Sequence, residues 1–420
     1  MKRILFITSF CFLSFFCFGQ SQNKRVLFLG NSYTYVNNLP QLIADTALST
    51  NDNLIFDSNT IGGYTLQAHN SNATSLEKIA QGNWDFVVLQ EQSQLPSYPI
   101  NQVQTQVFPY AQSLNNLITT QNPCAETAFY MTWGRQNGDI QNCAVNPSVC
   151  TYEGMDDLLK DRYMTMTLNN EAIVSPVGAV WRFLRTNYPL LNLYSSDGSH
   201  PSEIGSYAAA CAFYVTLFRK DPNLITFNST LSLADATTIK TAAKNIVFDH
   251  LLDWKIGSYD AVSNFSYANS SVTEVHFTNT ATYATDFLWD FGDTTTSTEI
   301  NPIHTYSNAG QYTVTLTVSK CGMVSSSQQT INTLNLSNNQ ALEVTNTIKI
   351  YPNPVTTNLF INSIEKIKLL ELFDGNGRLL ETIMKNTENV TFDFSDKNAG
   401  VYFLKIYTDN GVKIEKVIKE

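Results

Sequence analysis

A serine directly after a short apolar run, Gly30-Asn31-Ser32-Tyr33-Thr34, and a carboxylate three residues before a histidine, Asp197-Gly198-Ser199-His200-Pro201, are the residues whose types and spacing could do chemistry. That chemistry is nucleophilic acyl transfer. A hydroxyl becomes a useful nucleophile when an imidazole takes its proton, and the imidazole works when a carboxylate fixes its tautomer and stabilises the imidazolium. Ser32, His200 and Asp197 supply one of each. Taken singly, a serine after a strand is most often a helix cap, and Asp-x-x-His is most often a hydrogen-bonded turn. Chain order changes that balance. Two further polar segments, Gly62-Gly63-Tyr64-Thr65 and Gln90-Glu91-Gln92-Ser93-Gln94, also follow apolar runs lying between the serine and the histidine.

The elements that must position these residues are short, continuously apolar runs: 25–29, 54–56, 86–89, 128–131 and 172–174. Continuous rather than alternating apolarity is the pattern of strands buried on both faces of a parallel sheet. Helical spacing in 39–48, 177–184 and 207–218 separates or closes them. The expected fold of residues 24–255 is therefore an α/β class three-layer α/β/α sandwich with about five parallel strands, and a serine after strand one sits at the carboxyl edge where such folds build their sites.

Composition bounds the rest. A chain of 420 residues allows roughly two to four domains. A 43% hydrophobic content is ample for several cores, and net charge −10 with no basic run excludes nucleic acid as a partner. After Trp254 the sequence turns rich in Thr, Ser and Asn, with alternating runs such as 312–318, so residues 257–335 read as a small β-sandwich. Residues 336–347 read as a polar linker, and 348–420 as a second small all-β sandwich. At the other end, Lys2 and Arg3 precede an apolar run from Ile4 to Phe18, the pattern of a signal peptide over residues 1–19 with cleavage near Gly19-Gln20. No later run is long enough to span a membrane, so none is expected in the mature protein. Of the five cysteines beyond the signal, Cys143 and Cys150 are close enough to close a small loop, and Cys211, in an apolar helix, is the candidate free thiol.

With these blocks in hand, residues 24 to about 250 resemble the SGNH, or GDSL-like, hydrolase superfamily of serine esterases and acetylhydrolases. The resemblance implies Ser32 as nucleophile, Asp197 and His200 as its relay, and an oxyanion hole built from the backbone N–H groups of Ser32 and Gly63. The family's third block, Gly-x-Asn-Asp, is absent. Gln90, Gln92 and Gln94 stand in its place, and Gln90, leaving the strand end, is taken as the amide donor. Trp133, Arg135 and Trp181 are candidates for a cleft lining, Trp181 more naturally as a core aromatic. Trp289-Asp290-Phe291-Gly292-Asp293, with Asn301-Pro302-Ile303-His304-Thr305-Tyr306, resembles a PKD domain; Asp290 and Asp293 read as turn formers before they read as calcium ligands. Tyr351-Pro352-Asn353-Pro354 and Ala399-Gly400-Val401-Tyr402 resemble the type IX secretion sorting domain, implying delivery to the outer surface or medium by that machinery through residues 348–420. Together these resemblances imply a secreted esterase without metal or organic cofactor, acting on ester groups such as O-acetyls of an acylated polysaccharide. A lipid or aryl esterase, and a glycan-binding protein without catalysis, are the competing expectations.

Overall fold

The computed structural model describes residues 21–333 and 348–420, apart from 376 and 409–410. The expected signal segment and the linker 336–347 lie outside the described residues. The chain divides into two compact units at residue 334.

The first unit opens with the anticipated parallel sheet. Its strands are β1 (Asn23–Gly30), β2 (Asn53–Thr60), β3 (Phe86–Leu89), β4 (Glu126–Tyr130) and β5 (Ile173–Ser175), in the order β2-β1-β3-β4-β5. Each neighbouring pair is parallel, as in Val26 opposite Phe86 and Leu89 opposite Phe129. Val26 to Leu29, Val87 and Leu89 are fully buried, so the apolar runs mark the interior strands; β2, at the edge, is only partly covered. The connecting helices are α1 (Ser32–Tyr35), α2 (Leu39–Leu48), α3 (Leu66–Ser71), α4 (Ala73–Ala80), α5 (Ile100–Gln106), α6 (Phe108–Gln121), α7 (Tyr152–Asn169), α8 (Val177–Asn187), α9 (Glu203–Phe218) and α10 (Leu233–Ile246). Helices α2, α8, α9 and α10 pack together, as do α3, α4, α5, α6 and α7, giving one layer on each face of the sheet. Helix α9 is apolar all round, and every residue from Gly205 to Phe218 is buried, Cys211 among them. The winding direction reverses between β1 and β3. A reversal of this kind leaves a crevice beyond the carboxyl ends of the two strands, which is where Ser32 and Gln90 emerge.

A β-sandwich follows in the same unit. One sheet has β6 (Phe265–Asn269), β7 (Glu274–Asn279) and β10 (Ile303–Thr305); the other has β8 (Asp286–Asp290), β9 (Thr296–Ser297), β11 (Gln311–Lys320) and β12 (Met323–Asn332). Trp289, Phe277, Phe291 and Tyr306 fill its core, and the indole N–H of Trp289 donates to the Glu299 carbonyl at 2.9 Å. Asp290 and Asp293 accept from the N–H groups of Gly292 and Thr295, and Asp293 also pairs with His304 at 2.8 Å.

This sandwich is not a loosely tethered spacer. A disulfide joins Cys124 to Cys321, a pairing the spacing did not reveal because 197 residues separate the two. Cys143 pairs with Cys150, as the short loop suggested. Tyr259 and Tyr283 meet edge to face at 5.4 Å beside the long-range bridge, and Arg219 joins Asp260 to Glu126. Cys124 and Glu126 lie at the amino end of β4, so the sandwich is fastened to the edge of the sheet opposite Ser32.

In the second unit the strands β13 (Ile348–Tyr351), β14 (Asn358–Asp374), β15 (Leu379–Asp393), β16 (Gly400–Thr408) and β17 (Gly411–Lys419) pair antiparallel, with one isolated parallel bridge from Val355 to Lys419. Leu359, Ile361, Leu370, Leu372, Phe392 and Leu404 form its core.

Replacing Cys124 and Cys321 together by serine is expected to cost the sandwich about 2–4 kcal/mol. A lower melting transition and faster protease cleavage between residues 256 and 264 are the readouts. Unchanged melting and cleavage would mean that the tyrosine and arginine contacts hold the module without the bridge.

Candidate active site

The turn after β1 begins with Asn31, which caps α1 by accepting the Tyr33 N–H at 3.1 Å. Ser32 is thereby the first residue of a one-turn helix, half-buried at the sheet edge. Gln90, completely buried at the end of β3, holds this turn. Its Oε1 accepts the Asn31 N–H at 2.8 Å and the Thr34 hydroxyl at 2.9 Å, while its Nε2 donates to Asn31 Oδ1 at 2.8 Å and to the Glu91 carbonyl. Gly30 permits this approach, since a Cβ there would lie 2.7 Å from Gln90 Oε1 and 2.5 Å from Thr34 Oγ1.

The histidine comes from the turn before α9. Asp197 Oδ1 accepts the N–H groups of Ser199 and His200, each at 2.9 Å, and the Ser195 N–H donates to the His200 carbonyl at 2.8 Å. Asp197 Oδ2 pairs with His200 Nδ1, and His200 Nε2 lies 2.8 Å from Ser32 Oγ. The hydrogen-bond partners assign the tautomer: Nδ1 donates to the carboxylate, and Nε2 accepts from the serine. Partial burial opposes ionisation of Asp197, but the bonds from the His200 ring and from the two N–H groups outweigh it and hold its carboxyl below the usual carboxylate range.

A buried aromatic stack ties the two turns together. Tyr33 lies on Trp133 at 4.7 Å and Trp133 on Trp181 at 3.7 Å, both nearly parallel. The Tyr33 hydroxyl meets Ser199 Oγ at 2.7 Å, and the Trp133 N–H donates to the Ser199 carbonyl at 3.1 Å. Trp133 therefore does not line a cleft as expected. It is fully buried beneath the site, and Trp181 is a core aromatic. Arg135 remains half-buried, 3.5 Å from Asp139.

Gly63 lies in a turn at φ 73°, where the Tyr64 N–H returns to the Ile61 carbonyl. That turn is bound to the serine turn through Asn31 Nδ2, which donates to the Tyr64 carbonyl at 2.8 Å. His69, on the following helix, donates from Nε2 to the Gly30 carbonyl at 2.9 Å and accepts at Nδ1 from Ser75, 2.8 Å away; burial lowers its pKa and keeps it neutral. Among the described residues, neither the Ser32 N–H nor the Gly63 N–H donates a hydrogen bond.

The expectation for Gln90 requires correction. Both of its amide hydrogens are spent inside the fold, so it fixes the serine turn and has no donor left for an oxyanion. Gln94 gives one hydrogen to Asp139 at 2.8 Å, and Gln92 gives one to Gln94 at 3.3 Å. Asn31, Tyr33, His69 and Glu91 were not singled out from the sequence. The detectable signals were an asparagine in a helix-capping position and a carboxylate at the end of an otherwise apolar strand.

Residues 261–334 match the model of the PKD domain, and residues 349–420 that of the secretion system C-terminal sorting domain. The chain thus carries a PKD domain and a type IX sorting domain, and the latter makes it a secreted or cell-surface protein. No helix among the described residues is long and apolar enough to cross a membrane. A 44-residue stretch is 54% identical to the collagenase ColA of Bacillus cereus, covering 10% of this chain and only 5% of that protein. Among solved structures, the N-terminal part is similar to a DUF4886 family protein of Bacteroides uniformis, at 18% identity and TM-score 0.47, covering 53% of this chain and 94% of that one. It is also similar to a putative SGNH hydrolase of Slackia heliotrinireducens, at 24% identity and TM-score 0.39, covering 46% and 97%.

Two measurements probe the buried polar groups. Gln90→Ala leaves the Asn31 N–H without its acceptor and is expected to cost about 1–3 kcal/mol in urea unfolding; an unchanged midpoint would contradict the bracing role. Glu91 is completely buried, and among the described residues no lysine or arginine pairs with it. Burial pushes its carboxyl up to about 8, against the pull of the Gln92 and Leu66 N–H groups. A raised carboxyl favours the fold fully below about pH 4.5, and that contribution is lost as pH rises through about 8. The melting temperature should therefore fall between these limits, and Glu91→Gln should flatten the decline. An identical slope in the variant would assign the pH dependence to other groups.

Proposed function

We propose that this chain is a secreted serine esterase that removes ester groups, most simply O-acetyl groups, from a carbohydrate polymer. The observation carrying the reading is the continuous relay from Asp197 through His200 to the Ser32 hydroxyl, at the switch point of a doubly wound sheet.

The Ser32 hydroxyl oxygen attacks the ester carbonyl as His200 Nε2 takes its proton. Asp197 stabilises the resulting imidazolium. The negative charge that develops on the carbonyl oxygen is met by the unspent N–H groups of Ser32 and Gly63, where loss of one such donor typically costs about 2.7–4 kcal/mol in barrier. The protonated His200 then gives its proton to the departing alcohol, leaving Ser32 acylated. Water, deprotonated by the same imidazole, releases the acid and restores the hydroxyl. Apart from water and the ester itself, each group named in these steps is a side chain or a backbone N–H of this chain.

The polymeric substrate follows from delivery: an esterase placed outside the cell suits a substrate too large to enter it. The sandwich at the opposite sheet edge leaves the relay unobstructed by its own strands.

Full-length protein is expected to hydrolyse p-nitrophenyl acetate faster than longer acyl esters and to release acetate from acetylated polysaccharide. Ser32→Ala should lower turnover by at least about 10³-fold while changing stability by no more than about 0.5 kcal/mol. Preference for long acyl chains would favour a lipid esterase, and turnover retained by Ser32→Ala would overturn the nucleophile.

A further inference from the structure

Resting on that reading, we propose that Glu91 is a positioning residue of the site: its carboxyl group holds the turn bearing the Gly63 N–H in register with Ser32. Glu91 directly follows Gln90, so a single dipeptide at the end of β3 grips two different turns. Gln90 holds the serine turn. Glu91 Oε1 accepts the Gln92 N–H at 2.6 Å, and both of its oxygens lie 3.2 Å from the N–H of Leu66, the first residue of α3 and three residues beyond Gly63.

The Gly63 turn is also anchored by buried Leu66 and by Tyr64, which meets His69 edge to face at 5.2 Å. Its hydrogen bonds to the serine turn and the end of β1 are Asn31 Nδ2 to the Tyr64 carbonyl and His69 Nε2 to the Gly30 carbonyl, and Glu91 joins it to the end of β3. A Cβ placed on Gly63 would meet nothing within 4 Å, so the turn borders open space, as a donor that must meet a substrate oxygen requires. A side chain wanted only to fill volume beneath this turn would be apolar, because a buried carboxyl group costs free energy that a leucine does not. Two acceptor oxygens meeting two backbone N–H groups from different segments give that group a purpose.

Burial keeps this carboxyl largely in its neutral form below about pH 8, and Oε1 alone reaches both N–H groups, so a glutamine is its near-isostere while an alanine accepts neither. Glu91→Ala is therefore expected to lower kcat on p-nitrophenyl acetate by roughly 100-fold with KM little changed, and Glu91→Gln to keep it within about 3-fold of wild type. Rates are taken per active site, counted by stoichiometric reaction with a phosphonate ester, so loss of folded protein does not mimic the effect. Amide exchange in residues 61–68 should be faster in Glu91→Ala than in wild type and close to wild type in Glu91→Gln. A kcat per site within about 3-fold of wild type in Glu91→Ala, or unchanged exchange in that variant, would overturn the proposal. Ser32→Ala, compared per mole of folded protein, separates the two claims. If it hydrolyses as well as wild type, the assignment of Ser32 as nucleophile falls, and the exchange measurement alone then decides whether Glu91 holds the turn.

Discussion

The 2.8 Å contact between His200 Nε2 and Ser32 Oγ joins residues 168 positions apart, and neither turn could hold it alone. One hydrogen bond in partly exposed surroundings contributes on the order of 1 kcal/mol, far less than the entropy of ordering two loops. The alignment must be inherited from what lies below. The buried strands set the turns side by side, Gln90 fixes Asn31 and thereby Ser32, and the stack of Tyr33, Trp133 and Trp181 carries Ser199, one residue before the histidine. The stack is apolar where it packs and polar at its rim, so the same rings contribute burial and orientation together.

This division of labour explains what the sequence made legible. Continuous apolar runs such as 86–89 placed the sheet, because burial on both faces leaves no room for polar alternation. Ser32, Asp197 and His200 were visible through their order along the chain: a serine after the first strand and an Asp-x-x-His ahead of a late helix each have a structural reading singly, and together they supply a nucleophile, a base and a carboxylate. Gln90 was visible as a residue and misjudged in role. An amide donates and accepts, and only the neighbours reveal which hydrogens are already taken. Glu91 and His69 carry no motif, and their partners are backbone groups 25 and 39 residues away. The bridge from Cys124 to Cys321 was equally hidden, since pairing across two modules depends on a docking geometry that spacing does not encode.

The edges of the α/β sheet serve different ends. At the carboxyl edge, polar side chains are pinned by buried hydrogen bonds and two N–H groups are left unspent. The amino edge carries a covalent bridge, an ion pair network around Arg219 and a tyrosine contact that fasten the PKD domain. A domain fixed there can bear on the substrate only at a distance from the reacting atoms. The separate sorting domain acts earlier, in delivering the chain outside the cell.

The central claim is that the Ser32 hydroxyl is made nucleophilic by His200. Incubation of the full-length protein with a serine-directed phosphonate ester, followed by peptide mass spectrometry, tests this most directly. One adduct per chain, located on Ser32 and nearly abolished by His200→Asn, is the expected result. An adduct on another serine, or labelling of Ser32 that is indifferent to loss of the imidazole, would contradict it.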